Sequence, residues 1–94
     1  MARLSREDVH HRLSALPGWA LDGDAIRKQY TFAGFPEAVR FVDRLVPGAE
    51  AADHHPDVLI NYKRVTLTYS THSEGALTEK DFAGAAMADR LAQD

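Results

Sequence analysis

The sequence contains no cysteine. No disulfide can staple it, and no thiolate can hold a metal or attack a substrate. Zinc ribbons, iron–sulfur proteins, thiol enzymes and disulfide-rich secreted modules are thereby excluded. No apolar run approaches the roughly 20 residues needed to span a bilayer. The first residues, Met1-Ala2-Arg3-Leu4-Ser5-Arg6-Glu7-Asp8, lack the apolar core of a secretory signal. Positive charge is also short: 11 Lys and Arg against 14 Asp and Glu give a net charge of −3. That balance argues against direct binding to nucleic-acid backbones. There is no Gly-x-Gly-x-x-Gly, no phosphate loop, no His-Glu-x-x-His helix and no serine nucleophile elbow. The expectation is a cytoplasmic protein with no membrane partner.

What is present is ordinary in bulk. A chain of 94 residues has room for one domain, residues 1–94, because typical domains run to about 100–150 residues. A domain this short buries only roughly 60–65 % of its unfolded surface, so association between copies is expected to add stability. The hydrophobic fraction of 45 % and charged fraction of 27 % fit a folded globule rather than a disordered chain. One count stands out. Of five histidines, His54, His55 and His72 fall between Glu50 and Asp81.

The chain reads as short, well-punctuated elements. Ser5 caps a first helix with Asp8 three residues on, Leu4 and Val9 stand at staple positions, and Pro17-Gly18 ends it. Trp19-Ala20-Leu21, the turn Asp22-Gly23-Asp24 and residues 25–32 form a hairpin in which Ile26, Tyr30 and Phe32 alternate with polar residues. Lys28 falls on the apolar side, which predicts a partly wet face. Gly34-Phe35-Pro36 opens a second helix, with proline in the tolerant first turn. Pro47-Gly48 lies inside its apolar stripe and predicts a kink or break, then a short helical run to about Asp53. Val58, Ile60 and Tyr62, then Val65, Leu67 and Tyr69, alternate as a second hairpin turning near Lys63-Arg64. Thr66, Thr68 and Ser70 form its polar face. Thr78 caps a last helix with Asp81 as the third residue in, and Leu77 and Phe82 as the staple. The order is α-β-β-α-β-β-α. It predicts an α+β two-layer sandwich, a four-stranded antiparallel sheet with three helices on one face.

This order gathers the histidines. His54 and His55 lie where the second helix gives way to a strand, and Pro56 pushes His55 toward extended backbone. His72 ends the fourth strand. A tight hairpin makes positions near 54–56 and 70–72 neighbours at its open end, so three imidazoles converge at one sheet edge. Imidazole titrates near neutrality, and such a cluster suits proton transfer. Zinc held by the histidines with Glu50 or Asp53 is the rival reading. Against it, adjacent histidines are awkward joint ligands. His10 and His11 read as solvated positions of the first helix. Asp81 alone reads as a helix-start residue and Glu50 as a solvated carboxylate.

The pattern Glu50-x3-His54-His55-Pro56-x5-Tyr62-x9-His72-x8-Asp81, with Ser70-Thr71 before the last histidine and Gly75 and Leu77-Thr78 after it, resembles the signature of the pterin-4a-carbinolamine dehydratases. The resemblance covers nearly the whole chain. It implies the same fold, and dehydration of 4a-hydroxytetrahydrobiopterin to quinonoid dihydropterin, which recycles the pterin cofactor of aromatic amino-acid hydroxylases. It implies no metal and no organic cofactor. His54 and His72 become the acid/base pair and His55 a substrate-positioning member of the catalytic set. Asp53 and the Ser70-Thr71 segment, with the three histidines, become the pterin contacts. Glu50, Pro56, Tyr62 and Asp81 support the site from behind, Glu50 by orienting a histidine and Asp81 by fixing the loop that carries His72. The implied partners are the pterin and copies of the chain in a homodimer or homotetramer. A hydroxylase or other protein partner belongs to the same reading, and a protein-binding cofactor role on the same fold is the alternative. Val58 departs from the family, which often has tryptophan there.

Overall fold

The computed structural model describes residues 3–93. The elements are α1 (Arg6–Ser14), β1 (Ala20–Asp22), β2 (Ala25–Thr31), α2 (Phe35–Ala52), β3 (Asp57–Asn61), β4 (Arg64–Tyr69) and α3 (Glu79–Ala92). The expected order and the α+β class are those observed. The sheet order is β1-β2-β4-β3, antiparallel throughout.

Register separates the two faces. Ile26 lies opposite Tyr69; Lys28 and Val58 flank Leu67 from either side, and Tyr30 and Ile60 flank Val65. With period-two alternation these form one face. The other carries Arg27, Gln29, Thr66 and Thr68. On the inner side Ile26, Val65, Leu67 and Tyr69 are buried, and α2 and α3 cover them with Ala38, Phe41, Leu45, Phe82, Ala85 and Ala88. Fully burying side chains of the Leu or Phe class contributes about 1.5–3 kcal/mol each.

Both local caps form as the sequence dictates. The Ser5 hydroxyl accepts the Asp8 amide at 3.1 Å. Thr78 and Asp81 form a reciprocal capping box.

Two local expectations are corrected and a third is extended. First, Pro47-Gly48 does not break α2, which is helical from Phe35 to Ala52. Pro47 lies on the exposed side, where the Asp43 carbonyl that loses its amide partner can meet water. Second, the turn joining β3 to β4 is Tyr62-Lys63, since Asn61 pairs with Arg64. Tyr62 has φ 54° and leaves the strand. Third, the face is partly wet at Lys28, as expected, and Lys28 is also tied down. Its ammonium pairs with Asp89 at 3.0 Å, and its side chain is only 21 % exposed.

Candidate active site

α2 ends on a tight reversal. Asp53 adopts the left-handed conformation at φ 49°, its amide bonds to Glu50 and the His54 amide reaches back to Ala49 at 3.1 Å. This is the Schellman arrangement, and aspartate is among the few non-glycine residues that tolerate it. It turns His54 out of the helix and toward the start of α3. There the His54 Nε2–H donates to Asp81 Oδ1 at 2.6 Å.

The Asp81 side chain is fully buried. Its Oδ2 accepts the Thr71 hydroxyl at 2.8 Å and the Thr78 amide at 3.0 Å. Because Thr71 gives its one proton to Asp81, the Thr78 hydroxyl must donate to Thr71, 2.8 Å away. The Thr78 oxygen in turn accepts the Lys80 amide. The chain of donors therefore has one direction and ends on the carboxylate that holds His54. The Nε2–H tautomer leaves His54 Nδ1 available to a substrate. The His54 ring also lies nearly parallel to that of Tyr69, at 17° with centroids 6.1 Å apart. Burial, then the Asp81 charge, pushes the Tyr69 phenol up to about 12.

His55, just before Pro56, bonds through Nε2 to Glu50 Oε2 at 2.5 Å. Glu50, expected to orient a histidine, thus meets His55. Both Glu50 and Pro56 lie behind His55, in an apolar groove shared with Val46 and Val58. His72 opens the turn 72–75, which a Thr71–Ala76 bridge closes and Gly75 completes at φ 60°.

A cleft of about 380 Å³ gathers Asp53, His54, His55, Ser70, Thr71 and His72. All six are residues that the sequence pointed to. Ser73 and Lys80 complete its rim. Thr71 is engaged inward, by its hydroxyl to Asp81 and its amide to Ala76. Ser70 ties the rim to the first hairpin through the Asp24 carbonyl at 2.9 Å. Tyr62 is not brought to this cleft. It is exposed on the turn at the opposite end of the β3–β4 hairpin. Among the described residues, no group of three or more His, Cys, Asp or Glu side chains is placed to hold a metal ion. Sequence reasoning missed Lys80 and Tyr69 as neighbours of the histidines. Lys80 had a signal, its place between the capping Thr78 and Asp81. Tyr69 had none, since it reads as an ordinary inward strand residue.

The profile of one protein family, described as Pterin 4 alpha carbinolamine dehydratase, matches residues 2–91. A protein of Chloroflexus aurantiacus provisionally named a pterin-4-alpha-carbinolamine dehydratase is 45 % identical over 97 % of this chain and 98 % of its own. The crystal structure of a transcriptional coactivator/pterin dehydratase from Brucella melitensis superposes with a TM-score of 0.92, at 36 % identity over 97 % of this chain and 99 % of that one. A pterin dehydratase-like protein identified as a RuBisCO assembly factor in the alpha-carboxysome superposes at 0.65, with 24 % identity over 79 % of this chain and 86 % of that one. That last likeness is one of fold alone.

Proposed function

Because this chain belongs to the pterin-4a-carbinolamine dehydratase family, we propose that it dehydrates 4a-hydroxytetrahydrobiopterin to quinonoid dihydropterin by histidine acid/base catalysis. The observation that carries this reading is the convergence of His54, His55 and His72 on one cleft, with His54 fixed by a buried carboxylate. The substrate bears a hydroxyl on a ring carbon beside a ring nitrogen. Hydroxide leaves poorly, so an acid must protonate it while the nitrogen lone pair expels water. The nitrogen then gives its proton to a base.

His54 suits the base. It takes the proton on Nδ1, and the Asp81 carboxylate stands beside the ring that becomes positive, as in other Asp–His pairs. His72, exposed at the mouth, suits the acid, because solvent can restore its proton. His55, held by Glu50, positions the ring, while Asp53 and Ser70 meet its polar edge. In this reading the reaction moves only protons and water and calls on no cofactor.

The test is turnover of chemically generated 4a-hydroxytetrahydropterin. Wild type should accelerate it, and His54→Ala and His72→Ala should each lose about 10²–10⁴-fold, the range of a positioned acid or base. No acceleration above buffer by wild type sinks the reading. Stoichiometric zinc in the purified protein would overturn it in favour of metal-assisted chemistry.

We also infer a homodimer or homotetramer. Val46 on α2 and Val58 and Leu59 on the edge strand β3 are exposed apolar residues on adjoining elements. Sedimentation equilibrium tests this, and a monomer at micromolar concentration refutes it. A protein-binding role is the second reading, favoured by the word coactivator in the name of the Brucella relative. Its test is partner recovery after substitution of Thr66 and Thr68 on the polar sheet face. Unchanged recovery counts against that face. The dehydratase reading carries with it a cytoplasmic protein working beside an aromatic amino-acid hydroxylase.

A further inference from the structure

A second cavity, of about 230 Å³, lies between α2 and α3. It shares two walls with the histidine cleft, His54 and Lys80. The two spaces therefore share a border at His54, the histidine that Asp81 holds, and at Lys80. From this border the groove follows one stripe of α3, past Gly84 and Met87, to Arg90. At about 1.5 Å of rise per residue, the path from Lys80 to Arg90 is roughly 15 Å.

Its charge is one-sided. Among the described residues, no carboxylate lines the groove. The carboxylates of α3 are each engaged elsewhere: Glu79 with Arg12 at 2.9 Å, Asp81 with His54, and Asp89 with Lys28. Lys80 and Arg90, the cations of α3, have no carboxylate partner among the described residues. Both face the groove. On a chain of net charge −3, two cations along one recess, without a carboxylate partner among the described residues, make a local field that favours an anion.

We propose that this groove receives the C6 substituent of the pterin and selects substrates whose substituent ends in an anionic group, a carboxylate or a phosphate. The proposal rests on the dehydratase reading. With the ring between His54 and His72, a substituent directed past His54 enters between the helices. Lys80 is the first cation it meets and Arg90 the last. The sides between them are apolar or small, so they accept a chain without demanding polar partners from it.

The test compares 4a-hydroxytetrahydropterins that differ only at the end of the C6 substituent, bearing a hydroxyl, a carboxylate or a phosphate ester. Wild type should show a KM about tenfold lower for an anionic end, the order of one charge-assisted hydrogen bond, with kcat alike for all three. The ratio should fall toward one in Lys80→Gln/Arg90→Gln and at high salt. A preference for either anion supports the proposal and identifies the group. Equal KM values in wild type, or a preference that survives the double substitution, overturns it. Calorimetric titration with stable 7,8-dihydropterins carrying the same ends measures the same ratio without turnover. If no substrate is dehydrated above buffer, the dehydratase reading falls, and the binding ratio still decides the groove.

Discussion

Two carboxylates of α3 each gather three side-chain or backbone donors, and they do different things. Asp81, at the start of the helix, takes His54, Thr71 and Thr78. Asp89, about two turns on, takes Trp19, Lys28 and Tyr30, all on Oδ1. Both fasten α3 to the rest of the molecule. The difference lies in the donors. An indole and an ammonium keep their protons across the physiological range, and burial followed by Asp89 itself raises the Tyr30 phenol further. The Asp89 cluster is therefore a static tie. Among the donors on Asp81 is an imidazole, the one side chain that exchanges protons near neutrality, and that imidazole opens on a cleft. The same anchoring device becomes chemistry when one donor can titrate and can be reached.

The comparison breaks most easily on activity. Asp81→Asn keeps the shape and removes the charge beside His54, and kcat should fall about 10²-fold, with KM nearly unchanged. Asp89→Asn should leave kcat within about twofold, since nothing it touches enters the cleft. Equal losses in steady-state kinetics would show that the two carboxylates do one job. Stability reverses the ranking of interest. Asp89→Ala leaves the Lys28 ammonium half-buried and unpaired and should cost about 2–4 kcal/mol in urea unfolding. Adding Lys28→Met should restore part of that loss, because an unpaired buried charge costs more than an apolar neighbour.

A smaller effect comes from the close approach of α3 to the sheet. A Cβ on Gly84 would stand 2.6 Å from Tyr69 Cε1, so Gly84→Ala should cost about 1–3 kcal/mol as the ring is displaced. At Gly48 the obstacle is the flexible end of Met87, and Gly48→Ala should cost less.

The smallest effect is on pH dependence. The Tyr69 hydroxyl is buried without a hydrogen-bond partner. Tyr69→Phe should change stability by no more than about 1 kcal/mol at pH 7, in the stabilising direction. Burial, then the Asp81 charge, pushes the Tyr69 phenol up to about 12 in the fold from its ordinary 10.0. Its contribution is therefore complete below pH 10 and is lost as pH rises toward 12. Tyr30 adds a slope of the same sign. Melting temperatures between pH 9 and 11 should fall less steeply in Tyr69→Phe than in wild type, and identical slopes would refute the assignment.

Much of this was legible in the sequence where the physics is local. Ser5 and Thr78 cap their helices because a hydroxyl reaches an amide only two or three residues on. The order of elements follows from periodicity and punctuation. Pro47 was misread because its cost depends on whether the orphaned carbonyl meets water, which is a matter of tertiary placement. Tyr62 continued an alternating pattern beyond the strand, since alternation carries no mark of where a turn begins. The convergence of His54 and His72 was legible from hairpin logic, and the family pattern pointed to Glu50 and Asp81 as supports, though it tied Asp81 to the His72 loop and not to His54. The pairing of Lys28 with Asp89 spans 61 residues, and no local rule reaches that far. Lys80 and Arg90 look like any solvated helix cations until the partners of their acidic neighbours are known.

The capping box of α3 has a kinetic consequence. Asp81 closes the box, and the same carboxylate fixes His54, which comes from the far end of α2. The arrangement proposed to react therefore needs the last helix both nucleated and docked. In refolding from urea, turnover under the proposed mechanism should therefore return only with the docked α3. Recovery of activity then reports that docking, read at a single residue that belongs to both events.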